Sequence, residues 1–384
     1  MRILHVIRQF YPCVGGIEKY ALDLCRHLIA RGHVCDVVTL NRNFADKSLL
    51  PPRDSYEGID IFRVPYAGPN RYKLAPGVLR FTGNYDLIHV HAIDFFVDYL
   101  ALTRFFHRKP VVVSTHGGFF HSKWAVVLKW AFFYTITMMT MRAAARIICD
   151  SYSDYALFRP IAQRKAIVIE NGVDYGSFST VAKRIQRGLL LSIGRTDANK
   201  RPDNLIRALA GVARDVPEAQ LVFIGPDWLG IWPELKALAI QLSLQDRVVF
   251  AGFCQEEEML DYLARAHFFV SASQYEGFGI AAVEAMSTGT VPVLNDIDSF
   301  RTFVNHGVNG FIADFSRPEL AAATLRQALS LDDAALLDMG EKARQKAANY
   351  AWPNVVGKIE KVYEEALGRG ASIPSSVLPG RMGG

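Results

Sequence analysis

The chain opens on a short apolar run, MRILHVI, followed by the polar, glycine-bearing stretch RQFYPCVGG. A helical pattern then begins, with Ile17, Tyr20, Ala21, Leu24 and Leu28 on one face at spacings of three, four and seven. Gly32 stands where a helix stop is expected, and HVCDVVTL reads as the next strand. This is a βαβ unit, which requires a parallel sheet. The same succession starts afresh near residue 189, with GLLLSIGR as strand, TDANKRPDN as polar loop, LIRALAGVARDV as helix and AQLVFIG as strand. DLIHVHA, KPVVVSTHG, ARIICDS and AIVIENG continue the first half; RVVFAGF, HFFVSAS and VPVLNDI continue the second. Such apolar strands alternating with helices predict an α/β protein of two Rossmann-like, doubly wound parallel-sheet domains facing across a cleft.

Regular patterning lapses after ENGVDYGSF, which sets the expected domains at 1–177 and 178–353. ANYAWPNVVGKIEKVYEEAL reads as a terminal helix broken at Pro353, whose part over about 354–368 packs back on the first domain. The Gly/Pro/Ser-rich end, 369–384, is expected to be disordered. WAVVLKWAFFYTITMMTM, 124–141, is strongly apolar, yet Lys129 interrupts it, so a buried or membrane-surface helix is expected rather than a spanning one.

Composition changes this picture little. The 384 residues suffice for two cores, and 50% hydrophobic with 21% charged residues fit a folded, soluble chain. The five cysteines are scattered and lack a CxxC pair, so reduced core thiols are expected, not a disulfide framework or a zinc site. No secretory signal is read at the start, which goes straight into a strand. Charge is more informative. Residues 1–177 hold 22 Lys/Arg against 14 Asp/Glu, whereas 178–384 hold 21 against 24. A basic first half suits an anionic partner (a membrane surface, a phosphorylated lipid or nucleic acid) or is only a solvated surface.

The candidate chemistry sits at predicted strand ends. Gly15 and Gly16, between a strand and a helix start, let backbone N–H groups approach a phosphate, or make a simple tight turn. The pattern is not GxGxxG, which disfavours a nicotinamide cofactor, and no GxxxxGK[ST] marks an ATPase loop. Arg195 and Lys200 flank the loop after GLLLSIGR and are placed to hold a departing diphosphate, or are ordinary surface charges. SQYEGFGIAAVEAM carries Glu276 and Glu284 around the turn Gly277, Phe278, Gly279 and Ile280. The turn offers N–H donors, Glu276 suits sugar hydroxyls and Glu284 suits ribose hydroxyls; the alternative is a Glu284 paired with a buried Arg and a solvated Glu276. His116 in STHGG ends another strand and is either a donor to a sugar hydroxyl or backbone, or a structural histidine; Ser151 after ARIICD is similarly placed but less specific. Asp296 and Asp298 form a DxD-like pair for which a turn role, without metal, is expected.

With these residues in view, YEGFGIAAVEAM resembles the E-x7-E signature of retaining GT-B glycosyltransferases of family four. The resemblance spans nearly the whole chain through YPCVGGIEKYALDLCRHLIARGHVCDVVT, STHGG, IENGVD, IGRTDANKRPDNLIRAL and VNGFIAD, in that order. IENGVD departs from the wider group, which often has proline where Glu170 stands. VIRQFYP, IDFFVDYLALT and VVSTHGGFFHSK are similar, more narrowly, to the mannosyltransferase subgroup of xanthan and acetan assembly.

That resemblance implies a transferase moving mannose from GDP-mannose to a polyprenyl-diphosphate-linked, cellobiosyl oligosaccharide in exopolysaccharide biosynthesis, without a metal or other cofactor. It implies that Glu276 contacts the donor sugar and Glu284 the ribose, while Arg195 and Lys200 hold the leaving diphosphate. His116 would touch the sugar near the scissile bond, Gly15 and Gly16 would border the phosphates, and Asp94 and Lys123, with Ser151, would serve the acceptor. The partners expected are the donor, the lipid-linked acceptor and the anionic inner face of the cell membrane, on which the protein would sit peripherally from the cytoplasm; nucleic acid is not expected. Rival readings are a UDP-sugar-dependent transferase of the same family and a non-catalytic scaffold. A UDP-sugar 2-epimerase is disfavoured by the E-x7-E arrangement.

Overall fold

The computed structural model describes residues 1–13, 15–69, 72–117, 130–196, 198–227 and 229–369. The chain divides into two compact units, one formed by Met1–Asn171 with the chain from Trp352 onward, the other by Gly172–Ala351. Each is a parallel sheet with helices on both faces.

The first unit contains β1 (Arg2–Val6), β2 (Val34–Leu40), β3 (Arg53–Tyr56), β4 (Ile59–Val64), β5 (Leu87–His91), β6 (Val111–Ser114), β7 (Arg146–Cys149) and β8 (Ala166–Val168). They lie in the order β3-β4-β2-β1-β5-β6-β7-β8, all parallel except the antiparallel β3. β5 and β6 are buried at every position, as expected of strands covered on both faces. β3 and β4 were not anticipated from the pattern. Their polar alternation hides them, and their two-residue turn uses Glu57 (φ 51°) and Gly58 (φ 78°), not the Asn-Gly or Asp-Gly that usually marks a hairpin.

Helices and a π-turn frame this sheet. In α1 (Gly16–Ala30), Tyr20, Ala21, Leu24, Cys25 and Leu28 are buried, and Gly32 at φ 85° closes the end. α2 (Phe95–Leu102) is followed at once by the single turn α3 (Arg104–His107). Of the apolar 124–141 stretch, 130–141 are described: a π-turn, Phe133–Thr137, runs into α4 (Met138–Ala143). Phe133 and Met141 are buried, whereas Trp130, Tyr134, Ile136 and Met139 are exposed. No helix among the described residues is long and apolar enough to cross a membrane. α5 (Tyr152–Ala162) covers β7 and β8.

The second unit contains β9 (Leu189–Ile193), β10 (Gln220–Ile224), β11 (Val248–Gly252), β12 (Phe268–Ser271), β13 (Val291–Asn295) and β14 (Phe311–Ala313), in the order β11-β10-β9-β12-β13-β14, all parallel. This is the doubly wound 3-2-1-4-5-6 order, with its reversal between β9 and β12. Its main helices are α6 (Pro202–Val212), α7 (Trp232–Gln241), α8 (Glu256–Arg265), α9 (Ile280–Ser287), α10 (Pro318–Leu329) and α11 (Asp333–Ala348).

The last helix, α12 (Trp352–Ala366), returns to the first unit. It buries Trp352, Val355, Val356, Ile359, Val362 and Tyr363 beside Ile3, Leu24 and Val37. At about 1.5–3 kcal/mol for each large apolar side chain, this burial holds the helix to a core it follows by 180 residues. Arg31 and His33 reach Glu360 at 2.7 Å, and Arg146 reaches Glu365 at 2.8 Å. Pro353 does not break the helix, contrary to the pattern-based expectation. It is the second residue, where a missing N–H costs no intrahelical bond. The tail expected to be disordered lies, apart from Arg369, outside the described residues.

Two positions generate predictions. Gly225 lies at φ 130°, and a Cβ there would fall on the Gly194 carbonyl oxygen. Gly225→Ala should destabilise the protein by about 2–4 kcal/mol; an unchanged urea midpoint would contradict this. Asp94 caps α2, accepting from Phe96 N at 2.9 Å with Arg8 3.3 Å from its other oxygen. Burial outweighs Arg8 and pushes its pKa up to about 7. Because that value is raised, the native state binds the proton more tightly than the unfolded chain, so Asp94 costs stability increasingly from about pH 4 to 7. Asparagine caps as well without the charge. Asp94→Asn should raise Tm by roughly 2–4 °C at pH 8 and have little effect at pH 4; a gap that does not widen with pH would refute it.

Candidate active site

In the second unit, β9 and β12 are neighbours at the point where strand order reverses, so the loops leaving their carboxyl ends abut. After β9 the chain passes through Gly194 (φ 144°), Arg195 and the single turn Ala198–Lys200 into α6. After β12 it passes through Ser273–Gly279 into α9. Backbone and side-chain bonds staple the two loops: Gln274 N donates to Asn199 O at 2.9 Å, and Asn199 Nδ2 donates to Tyr275 O at 2.8 Å. This brings Lys200 Nζ to 2.5 Å from Glu276 Oε1, with the side chains 32% and 17% exposed. Gly194, Arg195, Thr196, Lys200 and Ser271 line a pocket beside the pair. The sequence placed the lysine and the glutamate at strand ends; their direct pairing required the strand order.

The turn behind Glu276 is fixed from below. Phe278 is 3% exposed and packs its ring against Phe303 and Tyr350, with centroids 5.6 and 5.0 Å away. Its side chain therefore anchors the turn, leaving only its backbone for a ligand. Gly279 lies at φ 104°, and a Cβ there would sit 2.7 Å from Phe300. Among the described residues no side chain caps the N-terminus of α9, a place suited to an anion or a hydroxyl. Gly277 has open space around it, and Ile280 and Glu284 are half-buried on the first turns of α9. Asp296 pairs with Arg301 and Asp298 starts a short helix, so their contacts are those of a turn.

In the first unit the order reverses between β1 and β5; Gly15 and Gly16 follow β1 and Asp94 follows β5, while His116 and Ser151 follow β6 and β7. Gly15 is the N-cap of α1 with extended backbone (φ −163°), and Gly16 has open space around it, so neither needs glycine for its conformation. The Glu18 carboxylate lies where a Gly15 Cβ would be. A carboxylate from within the helix's own first turn thus occupies this end, a feature the glycine pair alone did not disclose. Asp94 and Ser151 are both helix caps, the Ser151 hydroxyl accepting from Asp154 N at 3.2 Å. Lys123 lies outside the described residues.

His116 has φ 52°, a conformation that costs about 1–3 kcal/mol and must be held. Two aspartates hold it. Asp150 accepts from His116 N at 3.1 Å and lies 3.1 Å from His116 Nδ1; Asp154 accepts from Thr115 Oγ1 at 2.5 Å and from Gly117 N at 3.0 Å. Burial, then the charge of Asp150, raises the pKa of Asp154. His116 Nε2 meets His91 Nδ1 at 3.0 Å, and Tyr20 covers the ring edge-on at 4.7 Å. Both ring nitrogens are thus engaged inside the protein, and the side chain is 4% exposed. In this arrangement the ring does not point a donor at a ligand, and the backbone of the turn is what remains to offer. Asp150, Asp154 and His91 were passed over in the sequence, where CDS and HVH carry no distinctive spacing.

Ligand atoms of His5, His89 and His91, or alternatively of His5, Cys25 and Cys35, lie within 4.8 Å of one another among the described residues. All five cysteines are free.

Residues 14–176 match the family model described as Glycosyltransferase Family 4, and 179–346 match Glycosyl transferases group 1. The chain is 38% identical over 372 residues to the GDP-mannose:cellobiosyl-diphosphopolyprenol alpha-mannosyltransferase of Xanthomonas oryzae pv. oryzae, covering 96% of this chain and 98% of the relative. To the enzyme of the same name from Komagataeibacter xylinus it is 37% identical, covering 96% and 94%. The solved structure of Anabaena Alr3699/HepE in complex with UDP superposes with a TM-score of 0.76 at 21% identity, over 95% of this chain and all of that one. Two parallel-sheet α/β units, family matches over both and relatives of nearly equal length lead to one assignment: the chain belongs to glycosyltransferase family four and is a glycosyltransferase of GT-B fold.

Proposed function

We propose that this enzyme transfers mannose, with retention, from GDP-mannose to a polyprenyl-diphosphate-linked oligosaccharide, cellobiosyl in the first instance, in exopolysaccharide assembly. The names of the relatives at 37–38% identity support the donor and acceptor. The observation that carries the chemistry is the Lys200–Glu276 pair at the strand-order reversal of the second unit.

The donor diphosphate enters as a competing anion. It draws the Lys200 ammonium away from Glu276, with Arg195 alongside, and leaves the Glu276 carboxylate to accept from sugar hydroxyls. Glu284 accepts from ribose hydroxyls, and the N–H groups of Gly277–Ile280 line the sugar and phosphates. The C1–O bond to GDP breaks as the acceptor hydroxyl bonds to C1 on the same face. Its proton passes to the departing diphosphate, and the cations stabilise the charge that develops there. No resident metal is required, because Arg195 and Lys200 supply the counter-charge.

The first unit receives the acceptor, near His116 and Asp94, and rests on the cytoplasmic face of the membrane. Its excess of basic residues supports this, as does an exposed apolar surface. Phe105 and Phe106 on α3 are 74% and 83% exposed, and Leu102 precedes them at 46%. Arg104 reaches the Ala143 carbonyl and Lys165 those of Arg142 and Ala144, so cations gather beside these rings. Aromatic side chains ringed by Lys and Arg suit an anionic lipid surface.

Lys200→Ala should lower kcat/KM for transfer from radiolabelled GDP-mannose to lipid-linked cellobiose by about 10²–10³-fold, with activity in the parent unaffected by EDTA. Full activity in the variant, or no product from the parent, would defeat the proposal. Thermal shift should rank GDP above UDP as a stabiliser, and the reverse order would favour a UDP-sugar donor. Phe105→Ser with Phe106→Ser should weaken binding to vesicles containing anionic phospholipid at least roughly tenfold; unaltered binding would remove this face from the membrane contact.

A further inference from the structure

Two central strands of the first sheet carry an unusual burden. His5 on β1 and His89 and His91 on β5 are 0%, 0% and 1% exposed. Parallel pairing puts His5 opposite His89, and His91 opposite Ser114 of β6. Alternation along the strands then sends these side chains to one face, that of α1 and α12. Buried imidazoles are tolerated when each nitrogen finds a partner of the right kind.

The contacts form a row. Asp150 Oδ2 lies 3.1 Å from His116 Nδ1; His116 Nε2 lies 3.0 Å from His91 Nδ1; His91 Nε2 lies 3.0 Å from His5 Nδ1. A neutral imidazole has one N–H and one lone pair, so each link needs one donor and one acceptor. Asp150 fixes the sense. One of its oxygens already accepts from His116 N, and its other can only accept while it is a carboxylate, so His116 Nδ1 donates. His116 Nε2 must then accept from His91 Nδ1, and His91 Nε2 from His5 Nδ1. The far end agrees. Among the described residues His5 Nε2 is buried without a hydrogen-bond partner, and the thiols of Cys25 and Cys35 lie within 4.8 Å of a His5 nitrogen. A lone pair facing thiols is less costly there than an unpaired N–H. Burial lowers the pKa of His91, at the middle of the row, and of the neighbouring His89, which keeps those two rings uncharged. Tyr20, Asp154 and Tyr363 complete the polar surroundings.

We infer that Asp150, His91 and His5 are positioning residues for His116, joined in a one-directional row in which each imidazole is neutral and protonated on Nδ1. The row holds the His116 ring inward and keeps the Thr115–Gly117 turn in its left-handed shape. Its bearing on catalysis rests on the proposed transfer reaction; its direction does not.

Nitrogen-15 NMR of histidine-labelled full-length protein, without substrate, reads the direction. His5, His91 and His116 should each show a protonated Nδ1 and a bare Nε2. Any of the three charged or protonated on Nε2 would overturn the row. Asp150→Asn tests its unity. The amide satisfies both the His116 backbone N–H and the ring only if its NH₂ faces Nδ1, so all three rings should switch to Nε2–H. An unchanged His5 would refute the coupling, and His91→Phe should abolish its response. In transfer assays Asp150→Asn should lower kcat roughly tenfold or more, with KM for GDP-mannose nearly unchanged; an undiminished kcat would refute the positioning role. Should Asp150→Asn not fold, the parent spectrum still decides the direction, and His91→Phe gives the kinetic reading. Failure of the NMR result leaves the proposed reaction intact, whereas a parent without transferase activity fails the reaction alone.

Discussion

A lysine and a glutamate 76 residues apart can share a proton-rich contact only if their strands are neighbours. β9 and β12 are neighbours because the second sheet winds outward in both directions from β9. That reversal leaves a gap above the sheet where no connection crosses, and the loops on either side are free to carry chemistry. The short 3₁₀ turn before α6 and the Gly-Phe-Gly turn before α9 fill that gap, and Asn199 ties one to the other. The half-buried ion pair gains little net stability, because desolvation offsets its attraction. Its use is to keep a cation and a carboxylate poised where an anionic, hydroxyl-bearing ligand can separate them.

The first unit applies the same topology with different residues. The loops beyond β1 and β5 flank the reversal, and the strands next to them, β6 and β7, supply His116 and its aspartate clamps. Here the polar groups are turned inward. A row of imidazoles inside a sheet would be costly if any nitrogen were mispaired, and that cost gives the row a single sense. The helix that begins at Trp352 closes this face, and its Tyr363 hydroxyl meets His89 Nδ1 at 2.7 Å. The end of the chain therefore contributes to the surroundings of residues at its beginning.

Much of this was legible in the sequence. The central strands show themselves because burial on both faces leaves unbroken Val/Ile/Leu runs, and Lys200, Glu276 and His116 stand at their ends. The β3–β4 hairpin was hidden by polar alternation and an unusual turn, and β14 by its three-residue length. Pro353 was misread because the pattern does not say whether a proline starts or interrupts a helix. The inward ring of His116 was illegible for a deeper reason. It depends on register, which aligns His5 with His89 and His91 with Ser114, and no local spacing in HVH or CDS encodes that alignment.

The central claim is that Lys200 serves a diphosphate which displaces Glu276, and calorimetric titration of free GDP tests it most directly. If the carboxylate competes with the ligand for the ammonium, Glu276→Gln should bind GDP more tightly than the parent enzyme, by roughly three- to tenfold for a half-exposed pair. Weaker GDP binding by Glu276→Gln would contradict the account, because the carboxylate would then be supporting the diphosphate site and not competing with it.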